Sequence, residues 1–436
     1  MNSSIDTLKK AASSVLAEIE AKGIETGECT LNQNTLTEVY YEGAKISMIR
    51  SCLADHGKLK ILKEQRKGEN DLTDFSNATI SDAVNMALKA SEVSQLDAAE
   101  EVSEETENKD FVFGPQQADK ESMLQTQQEL LKTLKKEYPS IVFDGFSISH
   151  ELENRVYANS KGVLLSEQHG VYTFQGMMVA REGQKTTSFD FISGAFKDFD
   201  KPLIERDGVR RKFENTVKLL DTQVLEGHFE GDLILPPNML EEILWYVQMG
   251  FLSDRSLISG ISIWKDKLGS QVAVPGFNLS LDPANEALAA TSLLTPDGYL
   301  ANEQKLIEGG NLTSFSLSRY GAAKTGGMRA GNASQNFILA AGSANTDEMI
   351  ASVKHGLLLN RFSGGMPSAA GDLTGVAKNS FLIENGRIAY PVTETMISTN
   401  IAQMLLSIEA LSSVRENNGS RILPWAKVSG VTISGK

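Results

Sequence analysis

Cysteine is almost missing from this chain: two residues, Cys29 and Cys52, in 436. Two cysteines build no disulfide framework, and they exclude a cysteine-rich metal site. Histidine is scarce as well. The five histidines are His56, His150, His169, His228 and His355, and no two stand four residues apart. No helix can therefore present a histidine pair to a metal in the H-E-x-x-H manner. Long apolar runs are also lacking. The most apolar stretch, Leu233 to Leu252, is broken by Pro236, Pro237, Glu241 and Glu242, which excludes a membrane-spanning helix. Basic charge is in deficit, with 42 Lys and Arg against 56 Asp and Glu for a net −14. A nucleic-acid-binding surface wants a basic face, so that partner is not expected. The opening Met1-Asn2-Ser3-Ser4-Ile5-Asp6 has no basic segment followed by an apolar run. No signal peptide is expected, and the chain reads as cytoplasmic.

What is present is an ordinary globular composition, 41% hydrophobic and 22% charged, long enough for two or three domains. Ile5, Leu8, Ala12, Val15, Leu16 and Ile19 repeat at helical spacing, with Gly23 at the C-terminal cap position. Val39 to Met48 reads as strand around a turn at Glu42-Gly43, and Ile80 to Ser91 as a second helix. Residues 97–117 open with a run of acids, Asp97 to Asp110, that predicts a solvated linker or mobile loop. A long helix is expected from Asp119 to Tyr138. A strand meander follows between Ile141 and Ser193, with turns at Asn159-Ser160-Lys161-Gly162 and Glu182-Gly183. Another helix, Leu203 to Asp221, closes this half. Beyond it, Asp232-Leu233-Ile234-Leu235 reads as a strand stopped by Pro236-Pro237, with Asn238 capping a helix to Phe251. The sequence is then strand-like and glycine-punctuated to about Ile388, and Asn400 starts a last helix carrying Ile401, Met404, Leu405, Ile408 and Leu411 on one face.

The expected fold class is α+β. Its N-terminal α/β half holds a strand meander and flanking helices, and its C-terminal domain is β-rich with a central and a terminal helix. Four regions follow: an N-terminal α/β subdomain at 1–96, an acidic linker at 97–117, a helix-meander-helix subdomain at 118–224, and the β-rich domain at 225–436.

Catalytic signatures fail one by one. His150-Glu151-Leu152-Glu153-Asn154 begins like a zinc motif but ends in Asn, in a period-two segment where side chains four apart do not converge. Ser262-Ile263-Trp264-Lys265 and Lys324-Thr325-Gly326 match S-x-x-K and K-T-G, yet the first alternates as a strand would and the intermediate S-x-N element is missing. Gly326 to Gly331 fits neither phosphate-binding nor dinucleotide fingerprints. Glu241-Glu242 reads as the solvated face of its helix.

One stretch stands apart. From Arg361 the chain carries Ser363-Gly364-Gly365, then Gly371-Asp372-Leu373, then Ile383-Glu384-Asn385-Gly386-Arg387, then Pro391-Val392-Thr393-Glu394 and Ile397-Ser398. The order S-G-G, G-D-L, I-E-N-G-R, P-V-T-E and I-S resembles the C-terminal signature of the TldD/PmbA family, also labelled "modulator of DNA gyrase". Asn159-Ser160-Lys161-Gly162 and Gly231-Asp232-Leu233-Ile234-Leu235-Pro236 support the resemblance, which spans essentially the whole chain.

The resemblance implies a cytosolic metalloprotease built from two related subunits. Its TldD type holds zinc through an H-E-x-x-x-H helix and a later cysteine, whereas its PmbA or TldE type lacks those ligands. Here the zinc-helix position reads Asn238-Met239-Leu240-Glu241-Glu242-Ile243-Leu244-Trp245-Tyr246-Val247, and the cysteine position Phe362-Ser363-Gly364-Gly365. The chain therefore resembles the PmbA/TldE type. What that implies is a subunit with no catalytic residue, metal or cofactor of its own, zinc being expected only in a TldD-type partner. The partner expected is such a subunit, or a second copy in a homodimer. A peptide substrate would lie against the small-residue backbone of Ser363, Gly364, Gly365, Gly371 and Asp372 by strand addition. The alternative is a non-enzymatic regulator acting on DNA gyrase or another large protein, for which the acidic net charge would suit docking on a basic surface.

Overall fold

The computed structural model describes residues 4–43, 45–393 and 395–436; Met1-Asn2-Ser3, where the signal-peptide reading begins, Ala44, and Glu394 of the P-V-T-E segment lie outside them. In the N-terminal half the elements run α1 (Ser4–Ala21), β1 (Thr26–Glu42), β2 (Lys45–Lys63), β3 (Arg66–Leu72), α2 (Asn77–Val93), β4 (Lys109–Phe113), α3 (Lys120–Glu137), β5 (Ile141–Asn159), β6 (Leu164–Glu182), β7 (Lys185–Thr186), β8 (Asp190–Phe196) and α4 (Val209–Lys218). The expected helices are there. Leu8, Ala11, Ala12, Val15 and Ile19 form the buried stripe of α1, and Ser76 and Asp119 cap α2 and α3 by accepting from Thr79 and Ser122 amides.

The two N-terminal subdomains are in fact one body. A single sheet runs β3-β2-β1-β5-β6-β4, with β8 beside the later part of β6. β1 pairs with β2 on one edge and with β5 on the other, so residues 26–72 and 141–196 share one hydrogen-bonded ladder. The first stretch of the expected meander, up to the turn at Asn159, is one long strand, β5, paired along its length with the similarly long β1 and β6. α1 and α2 cover one end of one face around Cys29, Leu31, Leu59 and Ile61. Contact there is close: a Cβ on Gly68 of β3 would lie 1.8 Å from the carbonyl oxygen of Ala87 in α2.

The acidic segment is not a free linker. Val102 and Ser103 are fully buried, and β4 adds a parallel strand to β6. Its acids have bases to meet: Glu100 lies 2.7 Å from Lys67, Glu101 2.9 Å from Lys161, and Asp97 3.0 Å from Lys324 in the other half. A run of like charge is held flat when the neighbouring surfaces carry the opposite sign. The helix expected over Leu203 to Asp221 is shorter, α4 alone flanked by two single 3-10 turns, because Gly208 turns the chain at a φ of +79° just ahead of it.

The second half runs β9 (Gln223–Val224), β10 (His228–Leu235), α5 (Pro237–Val247), α6 (Asp254–Ile258), β11 (Leu279–Leu281), β12 (Gln304–Glu308), β13 (Asn311–Leu312), α7 (Arg319–Thr325), β14 (Phe337–Leu339), α8 (Thr346–Ala351), β15 (His355–Leu358), β16 (Arg361–Gly364), β17 (Asp372–Lys378), β18 (Phe381–Glu384), β19 (Arg387–Thr393), β20 (Thr395–Asn400), α9 (Ile401–Leu406), β21 (Ile408–Asn417) and β22 (Ile422–Ser434). Its sheet is organised on β22, which pairs with β10, β14, β20 and β21. The central helix α5 starts at Pro237, where the missing amide costs nothing, and packs Met239, Leu240, Ile243, Leu244 and Val247 into the main core. Asn238 does not cap it; its amide donates to the Asn360 carbonyl at 2.9 Å. The terminal helix is also shorter than its pattern. Asn400 caps α9 as expected, but the helix stops at Leu406, and Ile408 and Leu411 belong to β21, which pairs with β22. Both halves mix helix and strand, and the fold is α+β. No helix among the described residues is long and apolar enough to cross a membrane.

Candidate functional site

The N-terminal sheet and the α5 side of the C-terminal domain face each other across a cleft of about 690 Å³. Its floor is the central part of the sheet. Alternation along β1 and β5 puts Glu38, Ser149 and Glu151 on the cleft side, and β6 adds Thr173 and Gln175. The opposite wall is α5 with Glu241 and Glu242, together with Asn360, Arg361 and Phe362 at the entry to β16.

The acidic pair on α5 is not a solvated face. Adjacent helical residues point about 100° apart, and each glutamate has its own partners. Glu241 Oε1 lies 2.6 Å from Arg421 Nη1, and its other oxygen accepts from Asn418 Nδ2 at 3.2 Å. Glu242 accepts from the Tyr246 hydroxyl one turn on, at 2.8 Å. Burial raises both carboxyls above the usual carboxylate range, although Arg421 pulls Glu241 back and Tyr246 does the same for Glu242. On the side wall, Arg211 pairs with Glu416 at 2.8 Å and Lys212 with Asp190 at 3.1 Å. Arg361 donates to the Phe189 carbonyl at 2.8 Å and lies over the Phe189 ring, 4.2 Å from its centroid.

These residues do not fit a zinc ion. Zinc takes thiolate, imidazole or free carboxylate, and no histidine or cysteine lines the cleft. Glu241 is held by a guanidinium, so a cation there would have to displace Arg421. Among the described residues no group of three or more His, Cys, Asp and Glu is placed to hold a metal. Three of the five histidines are engaged elsewhere: His150 with the Pro115 carbonyl at 2.7 Å, His169 with the Ala289 carbonyl at 2.9 Å, and His355 stacked on Phe229. Cys29 is buried beside α1, its thiol pushed up to about 12 by burial and by Glu28, and Cys52 stands exposed on β2.

The small-residue stretch lies next to the cleft rather than in its lining. Ser363 and Gly364 pair with Val376 and Gly375 of β17, and among the described residues β17 is the one strand β16 pairs with. A Cβ on Gly364 would fall 2.4 Å from the Phe362 ring, whereas one on Gly365 would meet nothing within 4 Å. Gly371, at a φ of +93°, and Asp372 close a turn onto α9. The Gly371 carbonyl accepts from the Ile401 amide at 2.8 Å, and Asp372 accepts from Asn400 at 2.9 Å. Asn360, Arg361 and Phe362, the three residues immediately before Ser363, do line the cleft.

The other motifs resolve into structure. The Ser262 hydroxyl donates to the Phe251 carbonyl at 2.7 Å and accepts from the Trp264 amide, a buried turn rather than a strand or a nucleophile. Lys324 pairs with Asp97. Sequence reasoning missed Glu151, Asp190, Arg211, Lys212, Asn418 and Arg421 as cleft residues; they come from β5, β8, α4 and the loop between β21 and β22, and no shared motif joins them.

Residues 229–435 match the model of the PmbA/TldA metallopeptidase C-terminal domain. A "Metalloprotease" of Methanothermobacter thermautotrophicus is 30% identical over 235 residues, 51% of this chain and 51% of the relative, so the chain spans about half the length of that protein. A "Metalloprotease PmbA homolog" of Haemophilus influenzae is 24% identical over 390 residues, 85% of each. In fold, the crystal structure of TldE from Thermococcus kodakarensis superposes with a TM-score of 0.84 at 19% identity, covering 98% of this chain and 100% of that one. The domain match and the relatives together carry the conclusion: residues 229–435 form a PmbA/TldA metallopeptidase C-terminal domain, in a chain that is similar to PmbA proteins in sequence and to TldE in fold.

Proposed function

We propose that this protein is the non-metal-binding, TldE-type subunit of a two-subunit metalloprotease, and that it holds peptide for a zinc-bearing TldD-type partner. One observation carries the reading. The helix α5, at the place where the family resemblance puts the zinc helix, faces the main cleft with carboxylates tied to Arg421 and Tyr246 and with no imidazole. Metal-assisted hydrolysis needs an ion that lowers the pKa of bound water and meets the developing oxyanion. This chain's residues provide neither, so its contribution is positioning. A polar cleft beside β16, whose second edge pairs with no strand among the described residues, suits an extended backbone, which strand addition would hold through main-chain hydrogen bonds.

The test is reconstitution. Mixed with an H-E-x-x-x-H sibling, the chain should form a complex in which zinc resides in the sibling, and peptide hydrolysis should exceed that of either subunit alone. A sibling whose activity and peptide affinity are indifferent to this chain would overturn the reading and leave the non-enzymatic regulator in its place.

A further inference from the structure

Charge in the cleft is unevenly spent. Carboxylates outnumber bases seven to four among the lining residues. Three of the four bases are neutralised at short range, Arg211 by Glu416, Lys212 by Asp190 and Arg421 by Glu241. The fourth, Arg361, is committed to the Phe189 carbonyl and ring. On the acid side, Glu38 is met by Arg50 at 2.9 Å and Asp207 accepts from the Asn417 amide. Glu151 on the floor and Glu242 on the wall have no basic nitrogen within 4.0 Å among the described residues, and Arg361 acts on Glu242 only from farther off.

A second observation points the same way. Asn360 lines the cleft, is 1% exposed, and leaves its Oδ1 without a donor, although its amide group donates to the Asn379 carbonyl. A buried amide oxygen with no partner is an uncommon cost in a native fold. Glu151 on the floor faces Asn360 Oδ1 and Glu242 on the opposite wall, the latter accepting from the Tyr246 hydroxyl, and together they offer acceptors to a donor-rich, positively charged group. Unpartnered donors occur as well, at Arg211 Nε and Nη1 and Arg421 Nε. Their side chains already have a carboxylate counterion, which suits them to a neutral acceptor such as a peptide carbonyl.

We propose that the cleft selects extended peptides carrying a basic side chain, whose ammonium or guanidinium group is received between Glu151 and Glu242. The inference rests on the peptide-holding reading above and adds the substrate class. The surroundings of Glu151 support it: partial burial, then Glu153 and Glu38, hold its carboxyl above the usual range, and an incoming cation relieves that repulsion. Such charge pairing across a partly desolvated interface fixes specificity more than bulk affinity.

The experiment is a fluorescence-anisotropy titration of the full-length chain with three dye-labelled, unstructured decapeptides. They are identical except that one central residue is lysine, glutamine or glutamate. The lysine peptide should bind about tenfold more tightly than the glutamine peptide at low salt, the glutamate peptide weakest, and the preference should shrink as salt rises. In the Glu151→Gln, Glu242→Gln double variant, with an unchanged melting profile, the lysine-to-glutamine ratio should fall to about one. Equal binding of all three peptides, or a ratio that survives the double substitution, overturns the charge selection while leaving the peptide-holding reading intact. Failure of all three to bind overturns both. The peptide series is decisive even if the double variant does not fold.

Discussion

Glu241 and Arg421 meet at 2.6 Å, joining the middle of α5 to the residue that leads into β22. The contact links the wall of the cleft to the strand on which the C-terminal sheet is organised, and it fixes the carboxylate in a structural role.

Removing one partner of that pair exposes the other to its burial. Arg421→Ala should lower stability by about 2 kcal/mol at neutral pH, below the range for a fully buried pair because both side chains keep some solvent. The pH dependence has a definite sign. Burial already raises Glu241, and losing Arg421 raises it further, so the folded variant binds a proton that the unfolded chain has released. Its deficit should therefore grow as pH rises above the ordinary carboxylate range and shrink below it, where Glu241 is protonated in both states. Urea midpoints of both proteins at pH 4 and pH 7 check this; a deficit independent of pH would contradict it.

His169 works in the opposite direction. Its ring is buried, stacked on Phe113 at 4.3 Å and bonded to the Ala289 carbonyl, and burial holds its pKa below the usual value. The unfolded chain takes up that proton first as pH falls through about 6.5, so the contribution of His169 is lost on acidification. His169→Gln keeps a donor for Ala289 but cannot titrate. Its urea midpoint should fall less steeply between pH 7 and pH 5 than that of the wild type.

Gly68→Ala should be among the costliest small substitutions in the chain. The added methyl would sit 1.8 Å from the Ala87 carbonyl oxygen, so α2 must lift off β3, at about 2 kcal/mol or more. Thermal unfolding measures it, and a melting temperature within a degree of the wild type would refute the close approach.

Much of the fold was legible in the sequence and part of the site was not. Helices α1, α2 and α3 announced themselves through their apolar period, because their stripes face local core, although α2 begins at Asn77 under a Ser76 cap, ahead of the expected Ile80. The single N-terminal sheet was illegible: nothing in Thr26–Glu42 states that its second edge is satisfied by Ile141–Asn159, more than a hundred residues later. The acids between Asp97 and Asp110 looked solvated because Lys67, Lys161 and Lys324 lie far off in sequence. Glu241-Glu242 was visible as a pair, but its burial depends on Arg421, Asn418 and the opposing sheet. Ser363 to Asp372 stood out by composition, and the structure separates its members into an exposed strand edge and a turn stapled to α9.

That separation is testable. Gly364→Val should destabilise the chain, since its Cβ would collide with the Phe362 ring and approach the Thr374 carbonyl to 2.9 Å. Gly365→Val meets open space, so it should leave the melting temperature within about a degree. Turnover by the reconstituted complex should nevertheless drop, by tenfold or more if the peptide backbone passes along β16 and is displaced by about 1 Å. Full turnover in the Gly365 variant would remove this edge from the peptide path.

The most direct measurement is the initial rate of cleavage of a fluorogenic, unstructured peptide by the purified chain, free of any sibling subunit, beside the same chain mixed with an H-E-x-x-x-H partner. The account predicts background rate for the chain alone and chelator-sensitive hydrolysis for the mixture, faster than for the partner by itself. Chelator-sensitive hydrolysis by the isolated chain would contradict it.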